Sequence, residues 1–258
     1  TKLSEFNFPD SLIEIGNQAF ESCDSLEITV FSENSQISKI GTFAFKHTHI
    51  DIKSLPPLMS TINSDVFSGL RSRIKKLDLS KVKSLKKNAF GFSSIDEINW
   101  EKSNAIIEIE ENALGGYSKK DINLPDGIIK LHARAFSSWF GNGVSLVYMP
   151  SSIENIDGLL CDQDRLFVSR NKKFIIKNSF DECNIQYIID GFENLVEINN
   201  IKYIVSSNKY CVLLGPNDDF DDDIVFIPKD VNGFKVRSIA PYAFSSNVFV
   251  KEIHFDEE

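Results

Sequence analysis

Apolar positions along this chain alternate between two spacings. The first is apolar-x-x-apolar-x-apolar, seen at Ile74, Leu77, Leu79; Ile95, Ile98, Trp100; Val144, Val147, Met149; and Val250, Ile253, Phe255. Leu3, Phe6 and Phe8 open the chain in a similar way. The last two members of each set are two residues apart, the spacing of a strand with one buried face. Pro9, Pro125 and Pro150 follow several sets, and a residue without an N–H ends a strand there. The second spacing is an Ala-Phe pair, or a near copy, with Ile or Leu four residues before its first member. Ile15 leads to Ala19-Phe20, Ile40 to Ala44-Phe45, Ile62 to Val66-Phe67 and Leu85 to Ala89-Phe90. Ile109 leads to Ala113-Leu114, Leu131 to Ala135-Phe136 and Ile239 to Ala243-Phe244. Leu160-Cys161 and Ser179-Phe180 are weaker copies.

The pair returns every 22 to 25 residues over most of the chain. A fixed period of this size means stacked repeats, each too small to bury its apolar face alone. The short Ser-, Asn- and Lys-rich segment around each pair predicts one turn of helix or 3₁₀ between strands. Ala lets neighbouring backbones approach, and Phe fills the space between coils. Nine or ten coils with strands about 4.8 Å apart would make an array of roughly 45 Å.

The units "LPDGIIKLHARAF", "SLIEIGNQAFESC" and "SIAPYAFSSNVFVKEIHF" resemble the BspA-type leucine-rich repeats. That family's unit runs as a strand, then Pro, then Ile-Gly-x-x-Ala-Phe-x-x-Cys. Cys23 and Cys183 occupy its Cys position, and the resemblance covers about residues 3–184 and 231–258. It implies an α/β fold: a right-handed leucine-rich repeat solenoid with a parallel β-sheet on the concave side and short helical turns. It also implies a non-catalytic protein-binding module of the adhesion type, on the surface of bacteria or trichomonad-like protozoa or secreted from them. Host, matrix or assembly proteins are the partners it implies.

After Asp190-Gly191 the period fails for some fifty residues. Ile185–Ile189 still reads as a strand. Ile201–Val205 and Tyr210–Leu214 then read as two strands joined by Ser-Ser-Asn-Lys. A second hairpin is predicted from Ile224–Ile227, Pro228 and Val231-Asn232-Gly233-Phe234, because Asn-Gly between apolar runs is a strong turn signal. The expected organisation is a repeat array over 1–190, a β-hairpin insert over 191–238 and a resumed repeat over 239–258.

Composition narrows the function. A formal net charge of −9 over 258 residues lacks the basic stripe that nucleic acid requires, and it disfavours an anionic membrane surface. No apolar run is long enough to span a bilayer. Both termini fall inside strand patterns, which reads as a piece of a longer protein or a unit capped by partners. The 21 phenylalanines are what one or two fillers per coil demand. Cys23, Cys161, Cys183 and Cys211 have no CxxC spacing and read as structural thiols. Free thiols and the absence of an Asn-x-Ser/Thr sequon fit the alternative of an intracellular scaffold in the cytoplasm.

Candidate chemistry is sparse. Asp218, Asp219, Asp221, Asp222 and Asp223 are oxygen-rich, but lack the Gly and distal Glu of a calcium loop and read as a solvated turn. His47-Thr48-His49 offers two imidazoles that would face the same way on a strand, without a third ligand. No catalytic motif occurs, and no cofactor or metal is expected. The face between the buried strand positions carries the remaining signal. Its outward rows read Glu5/Asn7, Glu27/Thr29, Lys76/Asp78, Glu97/Asn99, Asp121/Asn123, Leu146/Tyr148 and Glu252/His254. Glu97, Asn99, Asp121, Asn123, Leu146 and Tyr148 form the candidate partner-binding face. Its apolar break at Leu146 and Tyr148 supplies anchors, and its acidic rows favour a basic partner.

Overall fold

Among the described residues two sets of short strands recur with the repeat, and most of them lie parallel to the counterpart one repeat later. A computed structural model describes residues 7–26, 31–50, 52, 54–99, 106–117, 121–132, 134–136, 145–153, 155–157, 165–169, 175–177, 188–190, 192–206, 210–217, 219–240, 243–245 and 247–256. The expectations for Leu3, Glu5, Phe6, Glu27, Thr29, Trp100, Val144, Leu160, Cys161, Ser179, Phe180, Cys183, Ile185, Gly191 and Asp218, and for the Ser207-Asn208-Lys209 connection, lie outside the described residues. The first ladder is built by the apolar-x-apolar segments. Leu77–Asp78 pairs with Ile98–Asn99, and Ile122–Asn123, Ser145–Met149, Arg165–Ser169 and Ile188–Asp190 form a four-stranded parallel sheet. The second ladder starts from the Ile or Leu before each Ala-Phe pair. Glu14–Ile15 pairs with Lys39–Ile40, and six strands from Thr61–Ile62 to Ile175–Lys177 form a continuous parallel sheet. Ile15, Ile40, Ile62, Leu85, Ile109 and Leu131 all point into the core.

The Ala-Phe segments are turns, and the described residues contain no helix, which corrects the expectation of short helical turns. The backbone explains why. Gln18, Phe43, Asp65, Asn88 and Asn112, each directly before a pair, have φ between 53° and 61°. Ser22, His47, Gly69 and Phe92, two residues past the first four of these pairs, have φ between 56° and 62°. Left-handed residues at both ends exclude a right-handed helical run. Between them the N–H of the Phe turns to the next coil, while its neighbours close short bonds within the segment, Ala89 N–H to the Lys86 carbonyl at 3.0 Å and Gly91 N–H to Asn88 at 2.9 Å. Phe45 donates to the Val66 carbonyl at 3.0 Å, Phe67 to Ala89 at 2.9 Å and Phe90 to Ala113 at 2.9 Å. The turn is therefore a third inter-coil ladder. Between its rungs the rings stack: Phe20 on Phe45 at 5.3 Å, Phe45 on Phe67 at 5.6 Å, Phe67 on Phe90 at 5.2 Å. Phe20 is half-buried at the outer end, and Leu114 stands between Phe90 and Phe136 in the sequence of fillers.

Beyond the parallel ladders lies an antiparallel sheet of Phe192–Ile198, Ile201–Ser206 and Tyr210–Pro216. Asn199 and Asn200, at φ 49° and 60°, make the two-residue hairpin that suits a right-twisted pair. Almost every side chain of the two inner strands is buried, because both faces are covered. Ile204, Val212 and Leu214 join the solenoid core. Tyr203, Val205, Cys211 and Leu213 join a second core with Phe220, Val225, Ile227 and Ala243. The sheet is a wedge between two cores, which is why this stretch reads as near-continuous apolar runs.

The Asn232-Gly233 turn is present, with Asp230–Val231 and Phe234–Ile239 as its arms. Ile224–Ile227 is not one of them, a correction to the predicted second hairpin. It pairs in parallel with Glu252–Phe255, Val225 opposite Ile253 and Ile227 opposite Phe255. Its pattern is that of a first-ladder strand ended by Pro228, and burying Val225 and Ile227 requires a coil beside it rather than a hairpin.

Candidate functional site

Outward positions of the first ladder line up in register. Asp78 lies opposite Asn99, and Asn123 opposite Tyr148. Lys76, Asp78, Glu97, Asp121 and Asn123 are exposed, and Asn99 is partly so. Lys76 approaches the Glu97 carboxylate at 3.8 Å, a solvent-screened pair of little energetic weight.

Leu146 departs from its expected place on this face. It is buried, with 3% of its surface exposed, and its N–H donates to the Asp121 carboxylate at 3.1 Å. It lines a narrow crevice with Leu195, Lys202, Leu214, Gly215 and Pro216 of the wedge sheet. The sheet therefore covers the apolar break that the strand pattern alone leaves open. Tyr148 is half-buried and packs on the solenoid core. Burial, reinforced by the Asp121 charge, pushes its hydroxyl above its ordinary pKa. The exposed part of the face is thus the Glu97/Asn99 and Asp121/Asn123 rows, with Tyr148 at their margin.

A second charged face lies on the other ladder, one residue before each buried Ile or Leu. Lys39 reaches Glu14 at 2.7 Å. Lys86 sits between Glu108 at 2.7 Å and Glu110 at 2.8 Å, and Lys130 approaches Glu108 at 3.9 Å. The alternation of Glu14, Ser84, Glu108 and Lys130 with buried neighbours was the available signal, concealed because the pair-flanking segments read as turns. Hydrogen bonds that it donates to the two carboxylates hold the Lys86 ammonium above its usual pKa, and Lys86 holds the Glu108 carboxyl below its own. Stability from the lowered carboxyl is present above the unfolded glutamate pKa and is lost as pH falls through the folded value. Stability from the raised ammonium is present below the unfolded lysine pKa and is lost as pH rises through the folded value. Lys86→Met should therefore cost about 0.5–1 kcal/mol at neutral pH and much less near pH 3. Urea unfolding of both proteins at the two pH values checks this, and an equal loss at both would assign the effect to packing.

The remaining candidates resolve as structure. His47 and His49 lie in and after a turn rather than on a strand. His47 is exposed, whereas the Nδ1 of His49 is buried without a partner. Asp219, Asp221, Asp222 and Asp223 are exposed, Asp219 donating its N–H to Asn217 Oδ1 at 3.0 Å and Asp223 meeting Lys251 at 3.3 Å. Among the described residues no group of three or more His, Cys, Asp or Glu is placed to hold a metal ion. Cys23 and Cys211 are buried. Burial pushes the Cys211 thiol up to about 11 and the neighbouring Tyr203 hydroxyl up to about 12, so neither is a nucleophile at neutral pH. No helix among the described residues is long and apolar enough to cross a membrane.

The chain is similar in structure to a leucine rich cell surface protein from Faecalibacterium prausnitzii A2-165, at 18% identity and a TM-score of 0.36 over 95% of this chain and 65% of that one. It is also similar to a leucine-rich repeat protein from Bacteroides ovatus ATCC 8483, at 16% identity and a TM-score of 0.37 over 95% of this chain and 67% of that one. It spans about two thirds of the length of these relatives. Comparison with curated proteins finds no match. The model of the BspA type leucine rich repeat region matches in 6 copies across residues 1–108 and 83–209. With that match over most of its length, and parallel ladders repeating at the same interval, the chain belongs to the BspA-type leucine-rich repeat family.

Proposed function

We propose that the chain is a non-catalytic protein-binding module of a cell-surface or secreted adhesion protein. Its binding surface is the outward face of the first ladder, on the concave side of a right-handed solenoid. The repeat array occupies 1–190 and resumes by 239–258. The observation that carries this reading is the outward set of exposed Glu97, Asp121 and Asn123 and partly exposed Asn99, beside a half-buried tyrosine. A stacked array presents such rows as one wide surface with little flexibility, which suits a protein partner. The acidic rows select a basic partner and make its association salt-dependent.

Asp121 also holds the Leu146 N–H, so the test uses Glu97→Lys with Asn123→Lys. Partner capture from host-cell or matrix extract should fall about tenfold or more, as for loss of an interface's charge pattern, with the melting temperature nearly unchanged. Unaltered capture would sink the reading. Cysteines buried at Cys23 and Cys211 favour a second reading, an intracellular scaffold in a larger assembly. Labelling intact cells with a membrane-impermeant reagent separates the two.

A further inference from the structure

Outward positions of first-ladder strands are polar at Lys76, Asp78, Glu97, Asn99 and Asn123. Leu146 breaks that pattern, and the wedge sheet covers it. The strand Ile224–Ile227 also breaks it, and among the described residues nothing covers its outward side chains. Ile224 is 37% exposed and Phe226 62%. Phe226 stacks on His254 of the paired strand with ring centroids 5.3 Å apart, which holds the ring on the surface. A groove of about 320 Å³ runs beside it, lined by Asn199, Phe220, Asp222, Asp223, Ile224 and Phe226. Exposed apolar residues on an otherwise polar sheet face mark an interaction site.

The surrounding charge sets the chemistry of the occupant. Asp221 and Asp222 are exposed without a cationic partner among the described residues, and Lys251 compensates only Asp223. We propose that this face docks a basic peptide segment of a partner protein carrying an aromatic or aliphatic anchor. The anchor lies on Ile224 and Phe226, and its flanking Lys or Arg groups meet Asp221 and Asp222. The apolar face supplies the site, and the carboxylates supply the sign of what it accepts. This surface is separate from the Glu97–Asn123 rows and does not rest on them.

The test titrates the whole chain with three fluorophore-labelled synthetic dodecapeptides, followed by anisotropy at low salt. One is rich in Lys and Arg with a single Trp, one has the basic residues replaced by Glu, and one is basic with the Trp replaced by Ala. The basic Trp peptide should bind saturably, more weakly as salt rises, and the other two about tenfold more weakly or worse. Phe226→Ser, and separately Asp221→Lys with Asp222→Lys, should each weaken it about tenfold. Glu33→Lys, an exposed carboxylate outside both faces, should leave it unchanged. All the substituted sites are exposed, so folding survives, which circular dichroism verifies. Equal binding of the Ala peptide, indifference to Phe226→Ser, or an equal loss in Glu33→Lys would reduce the effect to diffuse charge and overturn the proposal. Concentration-dependent self-association abolished by Phe226→Ser would assign the face to a second copy of the chain and overturn it as well.

Discussion

Phe90→Ala should lower the unfolding free energy by about 3–5 kcal/mol, the range for a fully buried aromatic. Phe90 has no exposed surface and stacks on Phe67 at 5.2 Å. The usual escape from a cavity is collapse of its walls, and here the walls are held apart. Hydrogen bonds of the turn ladder fix the coil below through Phe67 N–H to Ala89 and the coil above through Phe90 N–H to Ala113, both at 2.9 Å. The void therefore persists and its lining loses dispersion contacts. Phe20→Ala, at the half-buried outer end of the same stack, should cost less than half as much. Urea unfolding followed by circular dichroism measures both, and a Phe90→Ala loss below roughly 1 kcal/mol would contradict the buried ladder.

At the junction of the wedge sheet with the last coil, Gly215→Ala should cost about 2–4 kcal/mol through combined backbone strain and overlap. Gly215 has φ +116°, which side chains rarely adopt, and a Cβ there would lie 1.9 Å from the Ala243 carbonyl oxygen. That oxygen belongs to the backbone of a buried Ala-Phe turn, so it cannot rotate aside. Relief requires the last coil to move off the sheet, breaking the bond from Ala240 N–H to the Leu213 carbonyl at 2.7 Å. Faster hydrogen exchange at Ala240, together with the stability loss, is the expected signature. Gly233→Ala is the control. It has φ +80° but open space around its Cβ, so it should show strain alone, about 1 kcal/mol. Equal effects at the two glycines would mean that the close approach to Ala243 carries no energetic weight.

Local periodicity carried the repeat, the inward set and the stacked rings, because each follows from neighbours in sequence and from the next copy of the same pattern. Ile15, Ile40, Ile62 and Leu85 are core residues in any arrangement that stacks these units. The same periodicity could not tell a turn of helix from a tight turn around Ala89-Phe90. That choice depends on where the Phe90 N–H bonds, and with Asn88 and Phe92 left-handed it reaches the Ala113 carbonyl of the next coil rather than a carbonyl one helical turn back. The exposed rows at Glu97 and Asn123 were legible because alternation alone turns them outward.

Contacts between distant segments were decided only in three dimensions. Leu146 sits at an outward position and is nonetheless buried, because the crevice it lines is closed by residues some fifty to seventy positions later. Ile224–Ile227 looked like a hairpin arm beside an Asn-Gly turn, yet its partner is Glu252–Phe255. An apolar alternation specifies that one face of a strand must be covered. Which segment covers it depends on chain topology and on the loss of water from both surfaces together, and neither is written in the strand's own residues.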